Sequence, residues 1–280
     1  MFNFSKKKIG IIGFGNMGQA IADRIKSKYE VFVFEKDREK TKGLTGITVS
    51  LGISQLLKQS ESIILAVKPQ DFGQVITELK GSVQGKLIIS IAAGITTGYI
   101  EKSLGQPRVV RVMPNLAVKV GKSTTSICKG AFAASSDIKL ARRLFKYLGK
   151  VFILTEDMMD AATAIAGSGP AYIFYDMEIK KIDSLKIPKA LMTEYIKKLM
   201  DAAMEVDFDP KTSLALSIDT AASSVGLLAQ TGKTPAQLRK MITSPGGTTE
   251  AALKVIINGG SWSEAAVTAK KRARELSKKE

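Results

Sequence analysis

The sequence predicts an α/β fold in two parts, a mostly parallel sheet clothed by helices and then an all-α domain. Three observations predict it. Short, continuous apolar runs alternate with helical patterns through the first half of the chain. A glycine-rich turn closes the first of those runs. Beyond Leu154 the helical periodicity continues, but convincing strands stop. Runs rich in β-branched residues, without polar alternation, suit strands buried on both faces, as in a parallel sheet between helix layers. Alternation followed by helices separates two domains, expected at 1–155 and 156–280.

Each element follows from its local pattern. Lys8-Ile9-Gly10-Ile11-Ile12-Gly13 is an apolar run ending in glycine. Asn16 to Lys26 is helical, with Met17, Ala20, Ile21 and Ile25 on one face. Val31–Phe34, Ser62–Val67, Lys86–Ile91, Arg108–Val112 and Lys150–Leu154 are further strands. Helices are expected over Asp157–Ala166, Pro170–Lys181, Pro188–Val206, Pro210–Gln230, Thr249–Ile257 and Ser261–Lys279.

Composition narrows the function. A chain of 280 residues with 45% apolar and 24% charged residues is globular, which excludes disordered and collagen-like classes. No uncharged run exceeds 15 residues, so no membrane span is expected. The stretch Met1 to Lys8 is not followed by a signal peptide. A single cysteine, Cys128, excludes an intramolecular disulfide framework, and a cytoplasmic protein is expected. The absence of histidine removes Ser-His-Asp and Cys-His catalysis and the commonest metal ligand, so no metal site is expected.

The net charge of +16 raises nucleic-acid binding. Against it, the basic residues are spread along the chain, and Lys270-Lys271-Arg272 lies on an amphipathic helix. Aromatics make up only 6%, leaving few stacking platforms. A solvated lysine-rich surface that attracts small anions is the expectation, with no nucleic-acid partner and no membrane partner.

The leading motif is Gly13-Phe14-Gly15-Asn16-Met17-Gly18, a G-x-G-x-x-G between a strand and a helix. That context makes it a dinucleotide-binding, Rossmann-like fingerprint rather than a plain strand-to-helix turn. Gly13 permits the turn, Gly15 the close approach of a pyrophosphate, and Gly18 helix–strand packing. The helix start then offers N–H groups to the phosphates. Glu35, 22 positions after Gly13, stands where an acidic residue reads an adenosine ribose, which favours NAD. Lys36 and Arg38 follow and suit a 2′-phosphate, which favours NADP; a solvated helix start fits the same charged run. NADPH and NADH both stay open.

Three strand ends follow. Ala66-Val67-Lys68-Pro69-Gln70, Ser90-Ile91-Ala92-Ala93-Gly94 and Arg111-Val112-Met113-Pro114-Asn115 each close a strand where α/β sheets bind ligands. Small Ala92, Ala93 and Gly94 would admit a flat ring, and Asn115 would bond a carboxamide. In the helical half, Gly167-Ser168-Gly169-Pro170-Ala171-Tyr172 and Ser244-Pro245-Gly246-Gly247-Thr248-Thr249 each open a helix. The second offers successive N–H groups and hydroxyls to a carboxylate. Ordinary turns and capped helix starts are the plainer readings.

In this order, with Ile95 after the second, Arg108 to Val110 before the third and Thr243 before the last, these five segments resemble pyrroline-5-carboxylate reductase over nearly the whole chain, from Lys8 to about Leu276. The last segment is the most specific, because the glycine loop is shared by many dehydrogenases. The resemblance implies NAD(P)H-dependent reduction of 1-pyrroline-5-carboxylate to L-proline. It implies a cofactor held by Gly13, Phe14, Gly15, Asn16, Met17, Gly18, Glu35, Lys36, Val67, Lys68, Pro69, Ala92, Ala93, Gly94 and Asn115. The substrate carboxylate falls to Ser244, Gly247, Thr248 and Thr249, with Thr249 as the catalytic hydroxyl at the ring nitrogen. It further implies that the α domain is a dimerisation domain, in a homodimer or a larger ring of dimers. One departure is an extra segment of about twenty residues around Met177–Glu194, including Asp183 to Pro188, within the dimer-forming helices. Rival readings are a β-hydroxyacid dehydrogenase, which needs a catalytic lysine or other acid, with Lys180, Lys181 and Lys197 as candidates by residue type, and a non-catalytic nucleotide- or nucleic-acid-binding protein.

Overall fold

The computed structural model describes residues 6–182 and 187–277. In chain order the elements are β1 (Lys8–Ile12), α1 (Asn16–Ile25), β2 (Glu30–Phe34), β3 (Thr48–Val49), α2 (Ile53–Gln59), β4 (Ser62–Leu65) and α3 (Pro69–Leu79). Next come β5 (Leu87–Ser90), α4 (Thr97–Leu104), β6 (Arg108–Met113), β7 (Ser123–Lys129), α5 (Ser135–Lys146) and β8 (Gly149–Ile153). The helical run is α6 (Met159–Ala162), α7 (Gly169–Ile179), α8 (Lys189–Glu205), α9 (Pro210–Thr231), α10 (Pro235–Ile242), α11 (Thr248–Ile257) and α12 (Trp262–Ser277).

The strand order is β3-β2-β1-β4-β5-β6-β7-β8. Every pairing from β3 to β6 is parallel. The order reverses at β1, between β2 and β4, and the glycine turn follows that strand. This is the switch point at which α/β sheets open a crevice.

Two compact units divide the chain: Met1–Val112 with Ile127–Leu148, and Met113–Ser126 with Gly149–Glu280. The division therefore lies at 148/149 rather than at 155. Residues 113–126 group with the helices, a long-range assignment that no local pattern announces. Ala117 is part of the helical core, with Leu116 and Val120 packed beside it.

The first unit is held by an aliphatic core that includes Ile12, Leu56, Ile63, Leu65, Phe72, Leu79, Ile88, Ile100 and Val109. Burying each such side chain contributes roughly 1.5–3 kcal/mol relative to exposure. The second core centres on Tyr172, Phe174, Tyr195, Leu199, Leu216, Leu253 and Trp262. Tyr195 stacks on Trp262 at 5.9 Å between ring centroids.

Strand β7, Ser-Thr-Thr-Ser-Ile-Cys-Lys, has no apolar run to reveal it, yet its first six residues are buried. Ser123 and Thr125 pair their hydroxyls at 2.9 Å, which offsets the cost of burying those two, while Ser126 Oγ has no partner among the described residues. Helix α10 is also absent from the sequence reading. Its start signal is local: Thr234 and Gln237 form a capping box, with Pro235 at the first turn.

Helix α9 is long and apolar enough to cross a membrane by length and composition, although no uncharged run in it approaches membrane length. Ten of its residues are buried inside the second unit, including Ser213, Leu216, Thr220 and Leu227. That is the profile of a core helix. Asp209 caps its start through the N–H groups of Lys211 and Thr212, both at 3.0 Å.

Candidate active site

The glycine turn of the first unit is built for close approach. Gly13 has φ +94°, a conformation that side chains rarely adopt. A Cβ on Gly18 would lie 2.1 Å from the Gly13 carbonyl oxygen, so α1 can pack on β1 only through glycine. A Cβ on Gly15 would meet nothing within 4 Å. Gly15 is therefore free of packing duty, and the space above it is open. No side chain caps α1 at Gly15, which leaves the helix start facing that space. Asn16 is exposed and Met17 half-buried there. Phe14 turns its ring into the core, at 2% exposure, and offers the site only backbone.

Beside the turn lies a cleft of about 310 Å³, lined by Gly13, Gly15, Glu35, Lys36, Lys40, Val67, Lys68 and Asp71 among others. Glu35 is buried, and both of its oxygens are engaged. Oε2 accepts from the N–H of Phe14 at 2.7 Å and Oε1 from the N–H of Asp37 at 3.1 Å. The expected ribose reader thus holds the glycine turn itself. Lys36 Nζ donates to Asp71 Oδ1 at 2.8 Å, tying the end of β2 to the first turn of α3. That hydrogen bond holds the Lys36 ammonium above the usual lysine range. Arg38 donates to the Leu51 carbonyl at 2.9 Å and does not line the cleft. Lys40 does line it, and the sequence reading missed it.

Val67 and Lys68 sit between β4 and α3, at the cleft wall. Pro69 opens α3, and its side chain lies outside the described residues. Ala92, Ala93 and Gly94 follow β5, and Ala92 packs into the core rather than lining the cleft.

Asn115 belongs to the second unit and has no free hydrogen-bonding group for a carboxamide. Its Nδ2 donates to the Ala166 carbonyl and to Ser223 Oγ, both at 3.2 Å. Its Oδ1 accepts from the N–H groups of Ala117 and Thr124. At 3% exposure its side chain organises the turn after β6 rather than presenting a free amide group.

The second unit carries a loop and a hydroxyl cluster. In the loop, Ser244 is exposed, and a Cβ on Gly247 would lie 2.4 Å from its Oγ. The Gly247 N–H donates to the Ser244 carbonyl at 3.0 Å. Gly246, with φ +70°, is held from both sides. Its N–H donates to Glu250 Oε2 at 3.0 Å, and its carbonyl accepts from Arg272 Nε at 2.8 Å. Glu250 stands three residues after the Gly247 cap, a local signal for such a role. Arg272, on α12, has no local signal.

Thr248 and Thr249 open α11, and both hydroxyls turn to Ser168. Thr249 Oγ1 donates to Ser168 Oγ at 3.1 Å, and Thr248 Oγ1 lies 3.2 Å from the same atom. Ser168 follows a π-helical turn, Thr163–Gly167, of the kind that often marks functional sites. The structure thus brings together Ser168, Thr248 and Thr249, of which the sequence reading assigned roles only to the threonines.

The three candidate lysines are surface residues. Lys180 pairs with Asp176 at 2.9 Å and Glu194 at 3.1 Å, while Lys181 and Lys197 are exposed. Of the expected extra segment, residues 183–186 lie outside the described residues, as do residues 278–280 at the end of the last expected helix. Among the described residues, no group of three or more acidic or cysteine side chains is placed to hold a metal ion.

Comparison with known proteins adds to this geometry. Residues 8–94 match the family described as NADP oxidoreductase, coenzyme F420-dependent. Residues 188–279 match pyrroline-5-carboxylate reductase dimerisation. Pyrroline-5-carboxylate reductase 1 of Bacillus subtilis is 34% identical over 288 residues, covering 98% of this chain and 91% of that protein. The Methanosarcina acetivorans pyrroline-5-carboxylate reductase is 33% identical, covering 98% and 99%. Among solved structures, a pyrroline-5-carboxylate reductase from Coxiella burnetii is 30% identical with a TM-score of 0.66, covering 98% and 99%. The Plasmodium falciparum pyrroline carboxylate reductase with NADP bound is 26% identical with a TM-score of 0.63, covering 97% and 98%.

Proposed function

Because the chain belongs to the pyrroline-5-carboxylate reductase family, we propose that it reduces 1-pyrroline-5-carboxylate to L-proline with NADPH or NADH, the last step of proline biosynthesis. The observation that carries the reading is a glycine turn open to a dinucleotide in the same chain as a glycine-hydroxyl loop suited to a carboxylate.

When bound, the nicotinamide supplies a hydride to the imine carbon. The residues of this chain do the rest. Gly13 to Gly18 receive the pyrophosphate, and Glu35 fixes the turn that receives it. Lys36 and Lys40 supply positive charge at the end of β2, where a 2′-phosphate would sit. Ser244, Gly247 and Thr248 hold the substrate carboxylate, and Thr249 meets the ring nitrogen. A cyclic imine protonates readily, so reduction needs no strong acid, in keeping with a chain without histidine. Positioning is the main catalytic contribution.

The chain acts as a homodimer or a larger ring of dimers in the cytoplasm, without a metal, nucleic-acid or membrane partner. The match of residues 188–279 to a dimerisation family supports the association. Turnover of pyrroline-5-carboxylate with each nicotinamide in parallel tests the activity, and light scattering on the same preparation tests the assembly.

A further inference from the structure

Ser168 is fully buried, yet its hydroxyl is the meeting point of two others. Thr249 Oγ1 donates to it at 3.1 Å, and Thr248 Oγ1 lies 3.2 Å away.

A hydroxyl has one proton and two lone pairs, so a hydroxyl that donates inward has only lone pairs left to offer outward. Thr249 Oγ1 is the donor to Ser168 Oγ. The Thr249 proton therefore points inward, and what Thr249 offers outward is a lone pair.

We infer that Ser168 is a positioning residue that fixes Thr249 as a hydrogen-bond acceptor, so that the site takes a cyclic iminium, whose nitrogen carries a proton, in preference to a neutral imine. The inference rests on the function proposed above, which puts Thr249 at the substrate nitrogen. The step balances without a proton from the protein. The hydride pair becomes a new C–H bond, the C=N π pair withdraws to nitrogen, and the N–H proton stays. The product leaves as a neutral secondary amine that takes its last proton from water. Thr249 aligns the C=N bond by holding that N–H, which is a contribution through orientation.

A double-mutant cycle tests this. Ser168→Ala should lower kcat/KM for pyrroline-5-carboxylate roughly 10-fold, the scale of one lost orienting hydrogen bond. In a Thr249→Val background the same change should cost less than about 2-fold, because the group it orients is gone. NADPH affinity, read by fluorescence, should stay unchanged in every variant. Equal losses in both backgrounds would overturn the inference, since a merely structural serine destabilises either one. The pH profile gives a second readout. Above the iminium pKa the native kcat/KM should fall with full slope, and Ser168→Ala should fall less steeply, because a released Thr249 proton serves the neutral imine. Parallel profiles would overturn the assigned polarity. Ser168→Cys, which keeps the volume, carries the same cycle should the alanine variant not fold. A native enzyme that turns over while the cycle is additive refutes only the role of Ser168; a native enzyme that makes no proline refutes the function, and the inference with it.

Discussion

The carboxylate of Glu35 accepts a hydrogen bond from the backbone N–H of Phe14 at 2.7 Å, across 21 positions of sequence. An acidic side chain at the end of the second strand thus braces the glycine turn. Glu35→Ala should raise the Kd of NADH and NADPH alike, by roughly 10-fold, because a hydrogen bond to a charged group contributes about 1.5–3 kcal/mol. Fluorescence titration with both cofactors checks it. A loss confined to NADH would make Glu35 a ribose reader instead.

Cofactor choice should follow Lys36 and Lys40 rather than Arg38, whose guanidinium is held at the Leu51 carbonyl. Lys36→Ala with Lys40→Ala should raise the KM for NADPH about 10-fold or more, with little change for NADH, as expected for lost charge-assisted phosphate contacts. Arg38→Ala should leave the ratio near that of the native protein. Steady-state kinetics with each nicotinamide decide between them.

Two glycines of one motif should separate function from packing. Gly15→Val adds atoms where nothing lies within 4 Å, so Tm should hold while cofactor affinity falls about 10-fold or more from blocked phosphate approach. Gly18→Ala places a Cβ 2.1 Å from the Gly13 carbonyl and should lower stability by roughly 2–4 kcal/mol, a backbone clash with no flexible side chain to yield. Thermal melts and titrations on both variants test the division. A Gly15→Val protein that melts early would show that the turn has a packing duty.

Arg272 and Glu250 clamp Gly246 from opposite sides, at 2.8 and 3.0 Å. Loss of the clamp should loosen the carboxylate loop, so Arg272→Ala should raise the substrate KM about 10-fold with a smaller fall in kcat, because carboxylate binding is shared by ground and transition states. Ser244→Ala should act in the same direction. A kcat loss larger than the KM change would place Arg272 in the chemical step.

The fold is most legible where the information is local. Ile9–Ile12 and Ile63–Leu65 are buried strand segments with no polar interruption, and the glycine turn between strand and helix announces itself. Strand β7 escapes because its first four buried residues are serines and threonines, a pattern that does not read as an apolar run. The boundary between units escapes because Asn115 and Ala117 are bound by helices far along the chain. The site divides in the same way. Thr248 and Thr249 are visible through their loop, but Ser168 lies 80 and 81 positions away from them, and only folding joins the three. Glu35 is visible as an acid in the right place, while the direction its oxygens face is not.

Acid should weaken the helical unit through Asp209. Its hydrogen bonds to Thr212 and Lys211 hold the carboxyl below the usual range. A folded-state pKa below the unfolded one means that the stabilisation is present at neutral pH. It is lost as pH falls from the ordinary aspartate value, about 3.9, through the depressed folded value. Asp209→Ala should therefore lower Tm at pH 7, and its difference from the native protein should shrink below about pH 4. A gap that stays constant with pH would mean that the cap acts without its charge.

Incubating the purified chain with 1-pyrroline-5-carboxylate and NADPH or NADH, and measuring proline alongside cofactor oxidation, tests the proposed reduction itself. Proline should form in equal amount to the cofactor consumed with at least one nicotinamide, with no oxidation in the absence of the imine. Folded protein that binds the cofactor yet yields no proline with either nicotinamide would contradict it.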